Sequence, residues 1–191
     1  MTTDFKNIFN NYFQVTESDL EFCKPFFDLI SSSKNSILEE DNHVPRYLYY
    51  INKGFVRLFF RDENGEEVTS FIGTPNTFVT SFLEFIHQKK TNQNLECITD
   101  CEFYRIERGR LQDLINRNEN FKSFSLIIFE QAFALANIRA NDMATLTADL
   151  RYTKLLEQNP EIIQHVPIQY IASFLGIKPQ SLSRIRKKLI K

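Results

Sequence analysis

The sequence predicts an α+β fold, with an antiparallel β-sandwich or barrel first and a mainly helical carboxy-terminal part after it. Short apolar segments separated by turn residues run from about Phe26 to Ile106. Beyond Glu107 the apolar residues recur at helical spacing, and a compact two-helix pattern occupies the end of the chain. A chain of 191 residues is long enough for one sizeable domain and a smaller unit.

The strands are predicted from turn chemistry. Tyr47–Ile51 and Phe55–Phe60 flank a glycine-containing turn, which is typical of a β-hairpin. The Asn64-Gly65 pair is among the strongest hairpin signals, so Val68–Ile72 is predicted as the third strand. The strand pattern resumes over Leu95–Ile106. Short strands that follow one another without long helices favour an antiparallel arrangement.

Helices are expected on both sides of this region. Thr16 or Ser18 is predicted to cap a short helix near the amino end. Later helices are expected over Arg110–Asn116, over Phe121 to about Leu146, and over Asp149–Gln158. The long one has apolar residues on nearly every side, so it is covered from more than one direction. It either pairs with the same helix of a second copy or lies fully buried within a monomer.

The end of the chain has the pattern of a helix-turn-helix. The first helix presents apolar residues at i, i+3, i+4 and i+7, which are Ile168, Ile171, Ala172 and Leu175. Gly176 suits the left-handed position that ends a helix, and Pro179 suits the first turn of the next one. The buried face of the second helix is predicted to be Leu182, Ile185, Leu189 and Ile190. A tight two-helix corner with a short glycine-containing turn is typical of DNA binding.

The exposed face of the second helix carries groups that read DNA. Arginine and glutamine make bidentate contacts to guanine and adenine, and the first turns of this helix meet base edges. The predicted base-reading residues are Gln180, Ser181, Ser183 and Arg184. The predicted phosphate-binding residues are Lys178, Arg186, Lys187 and Lys188.

The charge distribution supports a polyanionic partner for this end. Residues 162–191 contain six basic residues and no Asp or Glu, whereas residues 1–161 have 17 basic and 24 acidic residues. The net charge of −1 therefore divides into +6 and −7. A solvated, lysine-rich terminus would show the same charge without the helical pattern.

Other classes of protein fit less well. The sequence has neither about 18 consecutive apolar residues nor a signal peptide, so a cytoplasmic protein without membrane contact is expected. Cys97 and Cys101 are predicted to lie in one strand, more than about 12 Å apart, as buried reduced thiols. The three histidines are too scattered for a metal site, and there is no nucleophile elbow, which argues against an enzyme.

With these features the chain resembles the Crp/Fnr regulators, and especially the short members found in the Bacteroidetes. The resemblance lies in LYYINKGFVRLFFRDENGEEVTSFIG (48–73), in ITDCEFYRIERGRLQDLI (98–115) and in PIQYIASFLGIKPQSLSRIR (167–186). It implies a jelly-roll, cyclic-nucleotide-binding-like sensor over residues 1–120 and a dimerisation helix over 121–148. A helix-turn-helix over 149–191 would follow, with double-stranded DNA, a second copy and RNA polymerase as partners.

The chain departs from the family pattern in two places. Cyclic-nucleotide binders hold the ribose with Glu and the phosphate with Arg, and neither charge occurs in the corresponding stretches at residues 78–82 and 91–93. Because a buried phosphate needs a compensating cation, no tight cyclic-AMP binding is expected. An unknown effector, if any, is expected near Thr80, Ser81, Thr91 and Asn92. The sequence stops at Lys191, so a complete β-hairpin wing is also expected to be missing.

Two functional hypotheses remain open. The chain is either a dimeric, sequence-specific DNA-binding regulator or a ligand-sensing or interaction module with a vestigial DNA motif. A cupin-like enzyme is the third alternative, and it would need metal ligands that the sequence does not cluster.

Overall fold

The computed structural model describes residues 5, 6, 8, 9 and 15–189. The β part contains α1 (Glu17–Cys23), a 3-10 turn (Lys24–Phe26), β1 (Asp28–Ser32), β2 (Ile37–Glu39), β3 (Tyr47–Lys53), β4 (Val56–Arg61), β5 (Glu67–Gly73), β6 (Phe78–Val79), α2 (Phe82–His87), β7 (Asn94–Cys97) and β8 (Cys101–Glu107). The helical part contains α3 (Arg108–Arg117), α4 (Glu119–Thr145), α5 (Ala148–Gln158), α6 (Pro160–His165), α7 (Ile168–Phe174) and α8 (Pro179–Leu189).

The strands form two four-stranded antiparallel sheets, in the orders β1-β8-β3-β6 and β2-β7-β4-β5. This arrangement confirms the predicted antiparallel sandwich and the α+β class. Between the sheets lies a core that includes Tyr49, Ile51, Val56, Leu95 and Phe103. The predicted hairpin of β4 and β5 is present. The predicted hairpin of β3 and β4 is wrong, because the turn at Gly54 carries the chain from one sheet to the other, where β4 pairs with β5 and β7.

Local chemistry explains the two turns. Gly54 has φ +90°, and a Cβ there would lie 2.5 Å from the Asp100 carbonyl oxygen, so both conformation and space require glycine. In the β4–β5 turn Gly65 has φ +78°. The Asp62 carboxylate accepts hydrogen bonds from the backbone N–H groups of Asn64 and Glu66, both at 2.9 Å. These bonds fix the turn in one conformation.

A second core lies on the other side of the β1-β8-β3-β6 sheet and is rich in phenylalanine. Phe5, Ile8 and Phe9 are buried there against Phe121 and Phe124, which begin the long helix. Thr16 caps α1 through a capping box with Asp19, which confirms one of the two predicted caps.

The long helix α4 is buried only over its first third. Phe121, Phe124, Ser125 and Ile128 are buried. Beyond them large apolar side chains are exposed, namely Leu126, Phe133, Leu135, Ile138 and Met143. A helix fully buried within a monomer is therefore the wrong alternative. The exposed residues need another cover.

By length and composition alone, α4 also qualifies as a membrane-spanning helix. Its polar contacts favour a helix that packs on the rest of the chain. Arg139 donates hydrogen bonds to the carbonyl oxygens of Phe174 and Thr69, and Asp142 forms an ion pair with Lys154. These contacts hold the second half of α4 against the sandwich and the carboxy-terminal helices.

The cysteine geometry differs from the prediction. Cys97 ends β7 and Cys101 begins β8, so the two residues lie in different sheets. The prediction that they share one strand is wrong because the chain turns between them, and the neighbouring Cys101 side chain raises the pKa of Cys97. Both thiols are buried and free, as is Cys23.

Candidate nucleic-acid interface

The corner between α7 and α8 is built as the sequence predicts. The Ile177 N–H donates to the Ala172 carbonyl and the Gly176 N–H to that of Ser173, both at 3.0 Å, which is a Schellman ending. Gly176 has φ +69°, and a Cβ there would lie 2.5 Å from the Met143 methyl carbon. The turn favours glycine because of its positive φ, whereas the Met143 methyl group ends a flexible side chain that can move aside.

Arg151 fixes the same corner from α5. Its guanidinium donates to the Leu175 carbonyl at 2.9 and 3.2 Å and to the Leu146 carbonyl at 2.6 Å. A cation at the end of a helix also compensates the negative end of the helix dipole.

The buried face of α8 is narrower than predicted. Leu182 and Ile185 are buried as expected. Leu189 is 49% exposed, so the prediction that it is buried is wrong, because none of the described elements covers this side chain. Ile190 lies outside the described residues.

The outward face of α8 presents the predicted base-reading groups. Gln180, Arg184 and Lys187 are exposed and follow one another at i, i+4 and i+7, which places them on one face. Ser181 is exposed at its side, and Ser183 is half-buried. Their roles at DNA bases remain predictions.

Two of the predicted phosphate-binding lysines have acidic partners within the chain. The Lys178 Nζ lies 2.7 Å from Glu66 Oε2 in the β4–β5 turn. The hydrogen bond to Glu66 raises the pKa of Lys178. The Lys188 Nζ lies 3.2 Å from Asp149 Oδ2 in α5. Lys187 is exposed and Arg186 is half-buried.

The helix-turn-helix is docked on strand β5. The Thr69 N–H donates to Ser173 Oγ at 2.9 Å, and Ser173 Oγ donates to the Glu67 carbonyl at 3.2 Å. Arg139 adds bonds of 2.6 Å to the Phe174 carbonyl and 3.3 Å to the Thr69 carbonyl, and it stacks on the Phe174 ring. Burial lowers the pKa of Arg139.

Sequence reasoning missed the most buried part of this docking surface. Arg57 of β4 is 2% exposed, and its Nε donates to Glu96 Oε2 at 2.6 Å. Its guanidinium also bonds Glu67, and its Cζ lies 3.6 Å from the centroid of the Tyr170 ring in α7. Arg57 between Val56 and Leu58, and Glu96 between Leu95 and Cys97, were the available signal.

Apolar residues of the sandwich complete the surface. Phe55, Ile72 and Ile98 belong to the same cluster as the buried residues of α5 to α8. The Phe55 ring stacks on the His165 imidazole with centroids 4.8 Å apart. The sandwich and the helix-turn-helix therefore share one apolar core.

Three of the four residues expected near an effector come together. Thr80, Ser81 and Thr91 are buried, and Thr91 Oγ1 donates to Ser81 Oγ at 3.1 Å. Asn92 is exposed and does not join them; Gln93, whose Oε1 lies 3.4 Å from Ser81 Oγ, takes that place. Thr80 Oγ1 has no hydrogen-bond partner among the described residues. Among all the described residues, no group of three His, Cys, Asp or Glu side chains is arranged to hold a metal ion.

Comparison with known proteins identifies the fold. Residues 30–118 match the family model of the cyclic nucleotide-binding domain. No curated protein sequence shows significant similarity to the chain.

Among solved structures, FixK2 from Bradyrhizobium japonicum is similar with a TM-score of 0.73 and 17% identity, over 85% of this chain and 84% of that one. CooA from Carboxydothermus hydrogenoformans is similar with a TM-score of 0.70 and 16% identity, over 98% of this chain and 84% of that one. A putative regulator of the Crp/Fnr family from Eubacterium rectale is similar with a TM-score of 0.69 and 14% identity, over 94% of this chain and 87% of that one. Residues 30–118 thus form a cyclic-nucleotide-binding-like domain, and the chain as a whole has the fold of the Crp/Fnr transcriptional regulators.

Proposed function

We propose that the chain is a sequence-specific, DNA-binding transcription regulator of the Crp/Fnr type. The single observation that carries the proposal is the outward face of α8. That face presents Gln180, Arg184 and Lys187 in a segment without Asp or Glu, on a helix-turn-helix whose corner is closed by Gly176. These side chains suit base edges and phosphates, and none of them is a typical metal ligand or an activated nucleophile.

We propose further that the regulator is a cytoplasmic homodimer that pairs through α4. The exposed Leu126, Phe133 and Ala140 are spaced seven residues apart, which is the repeat of a coiled-coil seam. A dimer presents two recognition helices to two half-sites, and RNA polymerase is a further partner of the proposed DNA complex.

The sensor is proposed to respond to a ligand other than cyclic AMP, or to none. The stretches at residues 78–82 and 91–93 contain no charged side chain that would hold a ribose or a cyclic phosphate. The buried hydroxyls of Thr80, Ser81 and Thr91 support a neutral, hydrogen-bonding ligand, if any, at that place.

The proposal is tested by selecting bound sequences from a random duplex pool and titrating them in gel shifts over a range of salt. Arg184→Ala is expected to weaken binding to the selected site by about 1–3 kcal/mol and to relax base preference at one position. Lys187→Ala is expected to weaken binding to selected and random duplexes alike, with a shallower salt dependence.

Two outcomes would contradict these roles. Absence of binding to any duplex at low salt would leave the interaction module with a vestigial motif as the better hypothesis. Equal losses on selected and random DNA for both substitutions would contradict the assignment of Arg184 to base reading.

A further inference from the structure

The β4–β5 turn brings an acidic cluster to the start of the recognition helix. Residues 62–67 include four carboxylates, at Asp62, Glu63, Glu66 and Glu67. Glu66 is bonded to Lys178, the residue that immediately precedes α8. Asp62 also contributes to the raised pKa of Lys178. The contact therefore involves more of the turn than a single ion pair.

The position of this turn is fixed by the rest of the docking surface. The Ser173 bonds to Thr69 and Glu67 lie on the strand that begins where the turn ends. Within the turn, the Asp62 carboxylate accepts from two backbone N–H groups and the Gly65 N–H donates to the Asp62 carbonyl at 2.9 Å. The backbone of the turn is thus held beside the start of α8, which keeps Glu66 within reach of Lys178.

This arrangement conflicts with DNA binding at the same helix end. The first turn of a recognition helix approaches base edges between two phosphate backbones. Gln180 and Ser181 occupy that turn, directly after Lys178. Glu66 occupies the lysine that would bind a phosphate, and the nearby charge of Asp62 adds to the repulsion.

We propose that the Asp62–Glu67 turn is an internal competitor of DNA, in which Glu66 takes the place of a backbone phosphate at Lys178. Binding of a phosphate at Lys178 then requires the Glu66 carboxylate to leave that lysine. This regulation of the recognition helix rests on the proposed function.

The competing contact is weak enough to be displaced. The Lys178 and Glu66 side chains are 71% and 65% exposed, and pairs so exposed contribute little free energy and are screened by salt. A duplex offers many phosphates, so a single carboxylate reduces the affinity without abolishing it.

The test compares three variants of the full chain in gel shifts with a duplex selected by the wild-type protein. Glu66→Gln removes the competitor, and Glu63→Gln removes the same charge from the same turn at a residue without an ion pair in the described part of the chain. Lys178→Gln, alone and combined with Glu66→Gln, completes a double-mutant cycle. Thermal melting checks that each variant is folded.

Glu66→Gln is expected to bind DNA about two- to fivefold more tightly at low salt, with a smaller gain at high salt. Glu63→Gln is expected to gain less. Lys178→Gln should cost more affinity on the Glu66→Gln background than on wild type, because Lys178 is then free to bind a phosphate.

Three results would each overturn the inference and leave the proposed function intact. They are an unchanged DNA affinity of Glu66→Gln, an equal gain in affinity from Glu63→Gln, and a gain from Glu66→Gln that is undiminished on the Lys178→Gln background. Loss of duplex binding by every protein, wild type included, would overturn the proposed function and this inference together.

Discussion

Three arginines hold the helix-turn-helix in place, and each uses a different chemistry. Arg57 is an ion-paired cation buried under the Tyr170 ring. Arg139 satisfies the Phe174 and Thr69 carbonyls, and Arg151 satisfies the carbonyls of Leu146 and Leu175. The planar guanidinium donates in several directions at once, which a lysine at these places would not do.

One residue at this surface is imperfectly satisfied. Thr69 is completely buried and both of its backbone groups are bonded, but its Oγ1 has no partner among the described residues. Thr69→Val is therefore expected to raise the free energy of unfolding by about 1 kcal/mol, because it removes a desolvated hydroxyl at nearly constant shape. Urea unfolding of Thr69→Val beside Thr69→Ser, which keeps the hydroxyl, checks this. A destabilised valine variant would show that the hydroxyl has a partner.

Among the elements of the described residues, α4 carries the most exposed large apolar side chains. Phe133 is 71% exposed and Leu126 is 55% exposed on the face that repeats every seven residues. Exposed apolar patches of this kind mark interaction surfaces. A second copy of α4 would provide a matching apolar stripe, which supports the proposed dimer.

Phe133→Glu is expected to convert the dimer to a monomer without unfolding it, because the side chain has few contacts within the chain. The matched control is Leu135→Glu, which lies two and a half turns beyond Leu126 and so on the opposite face. Sedimentation velocity over a concentration series distinguishes the two variants. A Phe133→Glu dimer as stable as wild type would contradict pairing through this face.

The sequence predicted elements better than contacts between elements. The turns at Gly54 and Asn64-Gly65 and the corner at Gly176 were predictable because each depends on local backbone chemistry. The pairing of Arg57 with Tyr170 was not, because it joins residues more than a hundred positions apart. The Cys97–Cys101 error has a different origin, since an unrecognised local turn carries the chain from one sheet to the other.

At the scale of the whole molecule, the sandwich and the helix-turn-helix meet in a contact that has a polar and an apolar part. The polar part centres on Arg57, whose carboxylate partners, Glu96 and Glu67, come from the sandwich and whose covering ring comes from Tyr170. The apolar part is the shared cluster that includes Phe55 and Ile98.

Tyr170→Ala is expected to loosen this contact by about 1–2 kcal/mol, because Arg57 loses its stacked ring. Tyr170→Phe keeps the ring and should behave like wild type. Limited proteolysis near Thr147, between α4 and α5, measures the difference as faster cleavage of the alanine variant. Equal cleavage of all three proteins would show that the stacked ring contributes nothing to docking.

The junction of Ser173, Arg139 and strand β5 has a thermodynamic consequence for the sensor. If DNA binds better when Glu66 leaves Lys178, DNA binding is linked to the contact between the sandwich and the helix-turn-helix. The coupling factor is then the same in both directions. The operator is then itself an effector of the sandwich. Any ligand that binds the sandwich differently in its docked and released forms will have one affinity for the free protein and another for the protein on DNA.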